Sequence, residues 1–229
     1  MDVVYPYKAR PYDFELRYSI RSLAYADHGK VIVAGDKPSI CVEHVPVMRI
    51  SDRYRSSTAN ILSAAEQAVE TERFIVINDD IFLLEPWAFR HENRGTIEEY
   101  LASGHAQGLY RSHVEWTRKL LAAHGVSEPL WFGLHTPTVY DRRKLIDLIK
   151  DFRGERYLLR TLYHNIFPQP STRREDVKCK QWIGPPSGDV VSISDECALK
   201  PSFRRWVSAR FPNPSRYEAE ADSRTRRVA

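Results

Sequence analysis

Apolar residues in the first third of the chain follow two rhythms. Short runs at 2–7 (DVVYPY), 30–35 (KVIVAG) and 74–77 (FIVI) are rich in β-branched or aromatic side chains and end at turn formers or acids, which predicts buried strands. VEHVPVMRI at 42–50 predicts another strand, with Pro46 arguing against a central place in a sheet. Between these runs the spacing becomes helical. Leu16, Ile20, Leu23 and Ala24 share one face behind Asp13 as N-cap, and Ile61, Leu62, Ala65, Ala68 and Val69 do so behind Ser57. The resulting β-α-β-β-α-β order predicts an α/β domain with a mainly parallel sheet and helices on both faces.

The C-terminal half is loop-rich. Helical patterns near 112–124 and 141–151 flank GVSEPLWFGLHTPTVY, and a long irregular stretch at 165–189 precedes a short strand, VVSISDE. Loops of that length inside a compact domain are functional or disordered. Residues 1–218 read as one domain and 219–229 as a polar, basic, disordered tail.

The FIVI run ends on Asn78-Asp79-Asp80. In open α/β sheets ligands bind outside the carboxyl ends of the strands, which is where these residues fall. If the strand stays extended, Asn78 and Asp80 face the same side. An oxygen-rich pair of this kind suits Mg2+, which takes one or two carboxylates and leaves its other positions to substrate phosphates. The motif therefore reads as the metal anchor of an enzyme using a nucleotide-linked donor. Adjacent acids after a strand also serve as turn or capping residues, and the pattern alone leaves both readings open.

Composition narrows the field. Hydrophobic residues make up 42% and the formal net charge is +4, from 34 basic and 30 acidic side chains. That modest excess, split between separate clusters such as RYRSSTAN and STRRED, suits discrete phosphate contacts better than a nucleic-acid groove. No apolar run is long enough for a membrane span, no signal peptide is evident, and three cysteines without a C-x-x-C pair argue against a disulfide framework or zinc site. The expectation is a soluble, cytoplasmic protein. Dinucleotide, P-loop, G-x-S-x-G and H-E-x-x-H signatures are missing.

FELRYSIRSL, KVIVAGDKP, SSTANILSAA and FIVINDDIFL, followed by LHTPTVYDRRKLIDLI, PSTRREDV, and VVSISDE with RFPNPSRYE, resemble in order the conserved blocks of the Stealth family of sugar-phosphate transferases. The match is dense over 13–90 and sparse over 130–218. The chain lacks the family's W-V-D/N-G-x-D stretch and has Ser194-Asp195 where N-D is usual. It is also similar to compact phage glycosyltransferases.

The resemblance implies a GT-A-like fold and a nucleotide-sugar donor used with Mg2+ or Mn2+. It further implies transfer of a sugar 1-phosphate, or alternatively of the sugar itself, to a glycan or protein hydroxyl. Asp80, then Asp79, would bind the metal, and Asn78 a ribose or water. Arg17, matched by E-L-R-Y, and Arg173 and Arg174 would bind the donor. His135 of the H-x-P match would be the general base, since an imidazole can take a proton near neutral pH. Asp195 would be a second metal ligand or would orient His135. Lys8, just past the first strand, is placed for a phosphate or base contact. Asp2, ahead of that strand, reads as a surface residue.

Overall fold

The computed structural model describes residues 1–218, so the expected tail at 219–229 lies outside the described residues. The first half runs β1 (Asp2–Tyr7), α1 (Phe14–Ser22), β2 (Val31–Gly35), β3 (Glu43–Pro46), α2 (Arg53–Gln67), β4 (Arg73–Val76) and β5 (Ile81–Leu83). Then come β6 (His91–Asn93), α3 (Ile97–Ala102), α4 (Gly108–Ala123), β7 (Thr138–Asp141), α5 (Arg142–Asp151) and α6 (Leu159–Ile166). The chain continues through β8 (Ser171–Arg173), β9 (Lys178–Cys179), β10 (Val190–Ile193), α7 (Asp195–Ala198) and α8 (Pro201–Arg210).

The central sheet has the order β3-β2-β1-β4-β7; β1, β2, β3 and β4 are parallel, and β7 closes one edge antiparallel to β4. Alternation explains why its strands read as unbroken apolar runs. Val4, Ile32, Ala34, Phe74 and Val76 pack on one face with Ile61, Ala64 and Ala65 of α2. Val3, Tyr5, Val31, Val33, Ile75 and Ile77 pack on the other with Leu16 and Ile20 of α1. With both faces covered, both sets of alternate side chains must be apolar. Pro46 ends β3 on the sheet edge, where its missing N–H costs the ladder little. A second sheet, β5-β10-β9, and a parallel pair, β6-β8, lie beyond the end of β4.

Two local readings are corrected and a third is refined. Asp2 is buried rather than on the surface, and its Oδ2 accepts from Glu70 N (2.9 Å) and Thr71 N (3.3 Å), anchoring the turn that leads into β4. The N-cap of α2 is Asp52, which accepts from Tyr54 N at 3.0 Å; Ser57 lies inside the helix. The helix begins a turn before its apolar stripe, and the stripe alone misplaced the cap. Asp13 does occupy the N-cap position of α1 but makes no capping bond; it sits at φ 47° and its carboxylate accepts from the Tyr7 hydroxyl and Ser39 N.

The carboxyl ends of the strands are kept open for a ligand. Gly35 ends β2 at φ 122°, and a Cβ there would meet Tyr7 O at 2.3 Å and Asn60 Nδ2 at 2.6 Å. Only glycine satisfies both the left-handed backbone and the close approach. The sheet order reverses between β1 and β4, and at such a switch point the two following loops diverge and leave a crevice.

Candidate active site

Two cavities line that crevice. The smaller, about 190 Å3, is bounded by Lys8, Gly35, Asp36 and Asn60. The larger, about 630 Å3, is bounded by Asn78, Trp131, His135, Asp176 and Lys178, and both share Arg53 and Ser57. The larger volume lies within the usual range for small-molecule sites.

Behind Asn78 lies a charge cluster that joins distant parts of the chain. Arg10, in the loop after β1, reaches Asp195 Oδ1 (2.8 Å), Glu15 Oε2 (3.6 Å) and Asp79 Oδ2 (3.6 Å). Lys178 of β9 donates to Asp80 Oδ2 and Ile193 O, and to Ser192 Oγ at 3.2 Å. Ser192 donates in turn to Asp80 Oδ2 at 3.1 Å. Four carboxylates thus face two cations. Burial pushes the Asp79 carboxyl up to about 7, with Asp80 and Glu15 adding to the shift and Arg10 opposing it. Burial raises Glu15 too, against Arg10 and with Asp195 and Asp80.

The second feature is a histidine–aspartate pair. His135 Nδ1 lies 2.8 Å from Asp176 Oδ2, and Asp176 Oδ1 accepts from the His135 backbone N–H at 3.0 Å. Burial works to raise the Asp176 carboxyl, but its bonds to His135 outweigh it and hold the group below the usual carboxylate range. A carboxylate at Nδ1 fixes the tautomer that leaves Nε2 as the acceptor. Arg160 braces the loop from behind. It donates to Leu134 O (2.8 Å) and Thr136 O (2.6 Å), the carbonyls on either side of His135.

The structure therefore brings together Asn78, Asp79, Asp80 and Asp195, and places Lys8 and His135 on the crevice walls. Asp195 contacts Arg10; the residue that orients His135 is Asp176. The other expected donor ligands are engaged elsewhere. Arg17 donates to Ser39 Oγ (3.0 Å) and pairs with Glu218. Arg174 links Glu92 (2.9 Å) to Asp189 (2.6 Å), and Arg173 is exposed beside Glu99. None of the three arginines lines either cavity; Asp79, Asp80, Asp195 and Arg10 also lie outside both linings, in the charge cluster next to Asn78 and Lys178, which do line the larger one. Sequence reasoning missed Lys178, Asp176 and Arg160. The only available signal was for Asp176, which lies in the same STRREDV segment as Arg173 and Arg174.

The donor set suits a divalent cation. It is all oxygen, and Asp80 Oδ1 and Glu15 Oε1 are buried without a hydrogen-bond partner among the described residues. Asp80 and Asp79 would be the residues holding the ion. Among the described residues no three His, Cys, Asp or Glu side chains converge as a metal site, so its remaining positions would fall to ligand phosphates.

The raised Asp79 carboxyl has a consequence for stability. Its folded value lies above that of an unfolded aspartate, so the folded chain retains a proton that the unfolded chain has shed. Stability is then lost as pH rises from about 4 to about 7. Asp79→Asn removes that loss. In chelator-treated protein, denaturant titrations should show the variant gaining on the order of 2–4 kcal/mol over the wild type between pH 5 and pH 8. Parallel pH profiles for the two proteins would contradict the assignment.

No protein-family model and no curated protein matches the chain. Solved structures do. The galactosyltransferase LgtC, crystallised in complex with donor and acceptor sugar analogues, aligns with a TM-score of 0.52 at 9% identity, over 96% of this chain and 100% of that one. The fold is of the GT-A type. The inositol-1-phosphate CTP transferase of T. maritima aligns with a TM-score of 0.41 at 12% identity, over 93% of this chain and 97% of that one. The glycosyltransferase GlyE of Streptococcus pneumoniae TIGR4 gives 0.36 at 12% identity, over 78% and 46%. Among the described residues no helix is long and apolar enough to cross a membrane.

Proposed function

We propose that the protein is a nucleotide-sugar-dependent transferase that moves a sugar 1-phosphate to the hydroxyl of a glycan or protein acceptor. The observation that carries this reading is the His135–Asp176 pair, which lines the same cavity as Asn78, the first residue of the Asn78-Asp79-Asp80 turn. LHTP and STRREDV, two of the segments that carry the Stealth resemblance, meet in that pair.

In this reading the nucleoside lies in the smaller cavity beside Lys8 and Asp36, and the sugar and acceptor in the larger one. Arg53, on the wall of both, sits where the diphosphate passes between them. His135 Nε2 takes the proton of the acceptor hydroxyl while Asp176 holds the imidazole and balances its charge. The acceptor oxygen forms its bond to the phosphorus next to the sugar, and the bond from that phosphorus to the bridging oxygen breaks. A nucleoside monophosphate leaves. Arg53 and Lys178, both on the wall of the larger cavity, supply positive charge near the departing phosphate. A divalent cation on Asp80 and Asp79 would add Lewis-acid stabilisation of the same oxygens.

Direct transfer of the sugar, releasing nucleoside diphosphate, is the second reading, and the likeness to LgtC favours it. Both readings require the crevice to bind, with metal, the nucleoside and diphosphate of a nucleotide sugar, which a nucleoside diphosphate mimics. Calorimetry with uridine, guanosine, cytidine and adenosine diphosphates in Mn2+ should find one that binds, and Arg53→Ala should weaken it roughly tenfold, the loss of one charge-assisted contact. Failure of all four to bind would contradict both.

A further inference from the structure

Lys178 stands where its role differs from that of the other cations around the crevice. Its ammonium is fixed by three oxygens, Asp80 Oδ2, Ser192 Oγ and Ile193 O, and it also forms part of the wall of the larger cavity. Ser192 is fully buried, and β9, which carries Lys178, is paired in register with β10, Ser192 opposite Lys178 itself. The ammonium is therefore delivered to Asp80 by the sheet and not by a free surface side chain. One carboxylate oxygen of Asp80 is occupied by this contact and by Ser192, while the other is buried with no partner among the described residues.

We propose that Lys178 is a built-in competitor for the Asp80 carboxylate, which keeps a free metal ion out of the nucleotide-free site and makes metal and nucleotide enter together. This rests on the reading of Asp80 as a metal anchor.

Two positive charges cannot share one carboxylate without strong repulsion, because at this separation and low local dielectric the Coulomb cost is large. An ion arriving alone must push the ammonium off Asp80 Oδ2, leaving it with only the neutral oxygens Ser192 Oγ and Ile193 O and no counter-charge. An ion arriving with a diphosphate brings phosphate oxygens into the cavity that Lys178 borders, and the displaced ammonium can turn to those. The lysine would then bind the phosphates in the loaded state and Asp80 in the empty one. Affinity for the metal and affinity for the diphosphate become coupled, and by linkage the coupling is reciprocal. Lys180, also on the cavity wall, has no contact with Asp80 and serves as the control for a general loss of positive charge.

The test is Mn2+ binding followed by electron paramagnetic resonance, on nucleotide-free protein and again with each of the four nucleoside diphosphates. Lys178→Met and the neutral, polar Lys178→Gln should each bind Mn2+ at least tenfold more tightly than the wild type without nucleotide. Lys180→Met should change this by less than threefold. Adding Asp80→Asn to Lys178→Met should remove the gain, placing the ion on Asp80. Using two neutral variants guards against one of them failing to fold, which circular dichroism would reveal. If neither folded variant gains Mn2+ affinity, or if Lys180→Met gains as much, the competitor role is overturned. If no diphosphate binds to the wild type in Mn2+, the functional reading falls, and the nucleotide-free comparison still decides the role of Lys178.

Discussion

His135→Ala lowers kcat/KM for transfer by roughly 10²–10⁴-fold, the usual weight of a positioned general base. The loss should fall mainly on kcat, because His135 acts on the acceptor proton as the bond forms and holds little of the donor. Asp176→Asn keeps the shape of the pair but replaces the charge that fixes the tautomer, and should recover only part of the activity. Asp195→Asn should leave the His135 function in place, since Asp195 faces Arg10 in the structure. Steady-state kinetics of the three variants separate the roles. A His135→Ala enzyme within a few-fold of wild type would remove general-base catalysis by this residue.

The second large effect is structural. Arg160→Met is expected to destabilise the fold by about 2–5 kcal/mol, because it leaves two carbonyls without donors, each worth about 1–3 kcal/mol when buried. Leu134 and Thr136, which supply those carbonyls, are themselves buried, and Thr136 Oγ1 accepts from the same guanidinium at 3.0 Å. Burial lowers the Arg160 guanidinium from its ordinary value, so the side chain is held against a desolvation cost that its bonds to the loop must offset. Arg160→Met should also lower kcat, as the loop carrying His135 loses its brace. Denaturant unfolding with an unchanged midpoint and slope would show that the loop holds itself.

Those two predictions come from opposite ends of what the sequence made readable. The strands β1, β2 and β4 were legible because both faces are covered, which forces continuous apolar runs, and α1 and α2 because each buries one stripe. The Asn78-Asp79-Asp80 turn was legible as the end of a buried strand, while the pattern alone left a structural and a functional reading of its acids equally open. The short helix α3 carried a readable capping box, Thr96 with Glu99, that went unused. Helix α6 carried no side-chain cap, and its start left no local signal.

Partnerships across long separations were not readable. Asp176 lies 41 residues from His135, and Lys178 lies 98 from Asp80. Both come from a stretch without periodicity whose strands are two or three residues long. Arg17 and Arg174 show the converse. The E-L-R-Y match pointed to Arg17, and bidentate phosphate chemistry to Arg174, as donor contacts, yet Arg17 lies beside Glu218 and Arg174 beside Glu92 and Asp189, and such ion pairs leave the same trace in sequence as a binding arginine. Asp2 was misread because the acid at the amino end of a strand is unremarkable until the backbone N–H groups of Glu70 and Thr71 are seen to converge on it.

Sugar 1-phosphate transfer is tested by identifying the nucleotide released when the protein is incubated with a panel of nucleotide sugars, Mg2+ or Mn2+ and an acceptor, with Asp80→Ala alongside. Nucleoside monophosphate is expected from the wild type and none from Asp80→Ala. Nucleoside diphosphate would contradict sugar 1-phosphate transfer and assign the crevice to direct glycosyl transfer. Release of neither, from any donor in the panel, would contradict the transferase itself.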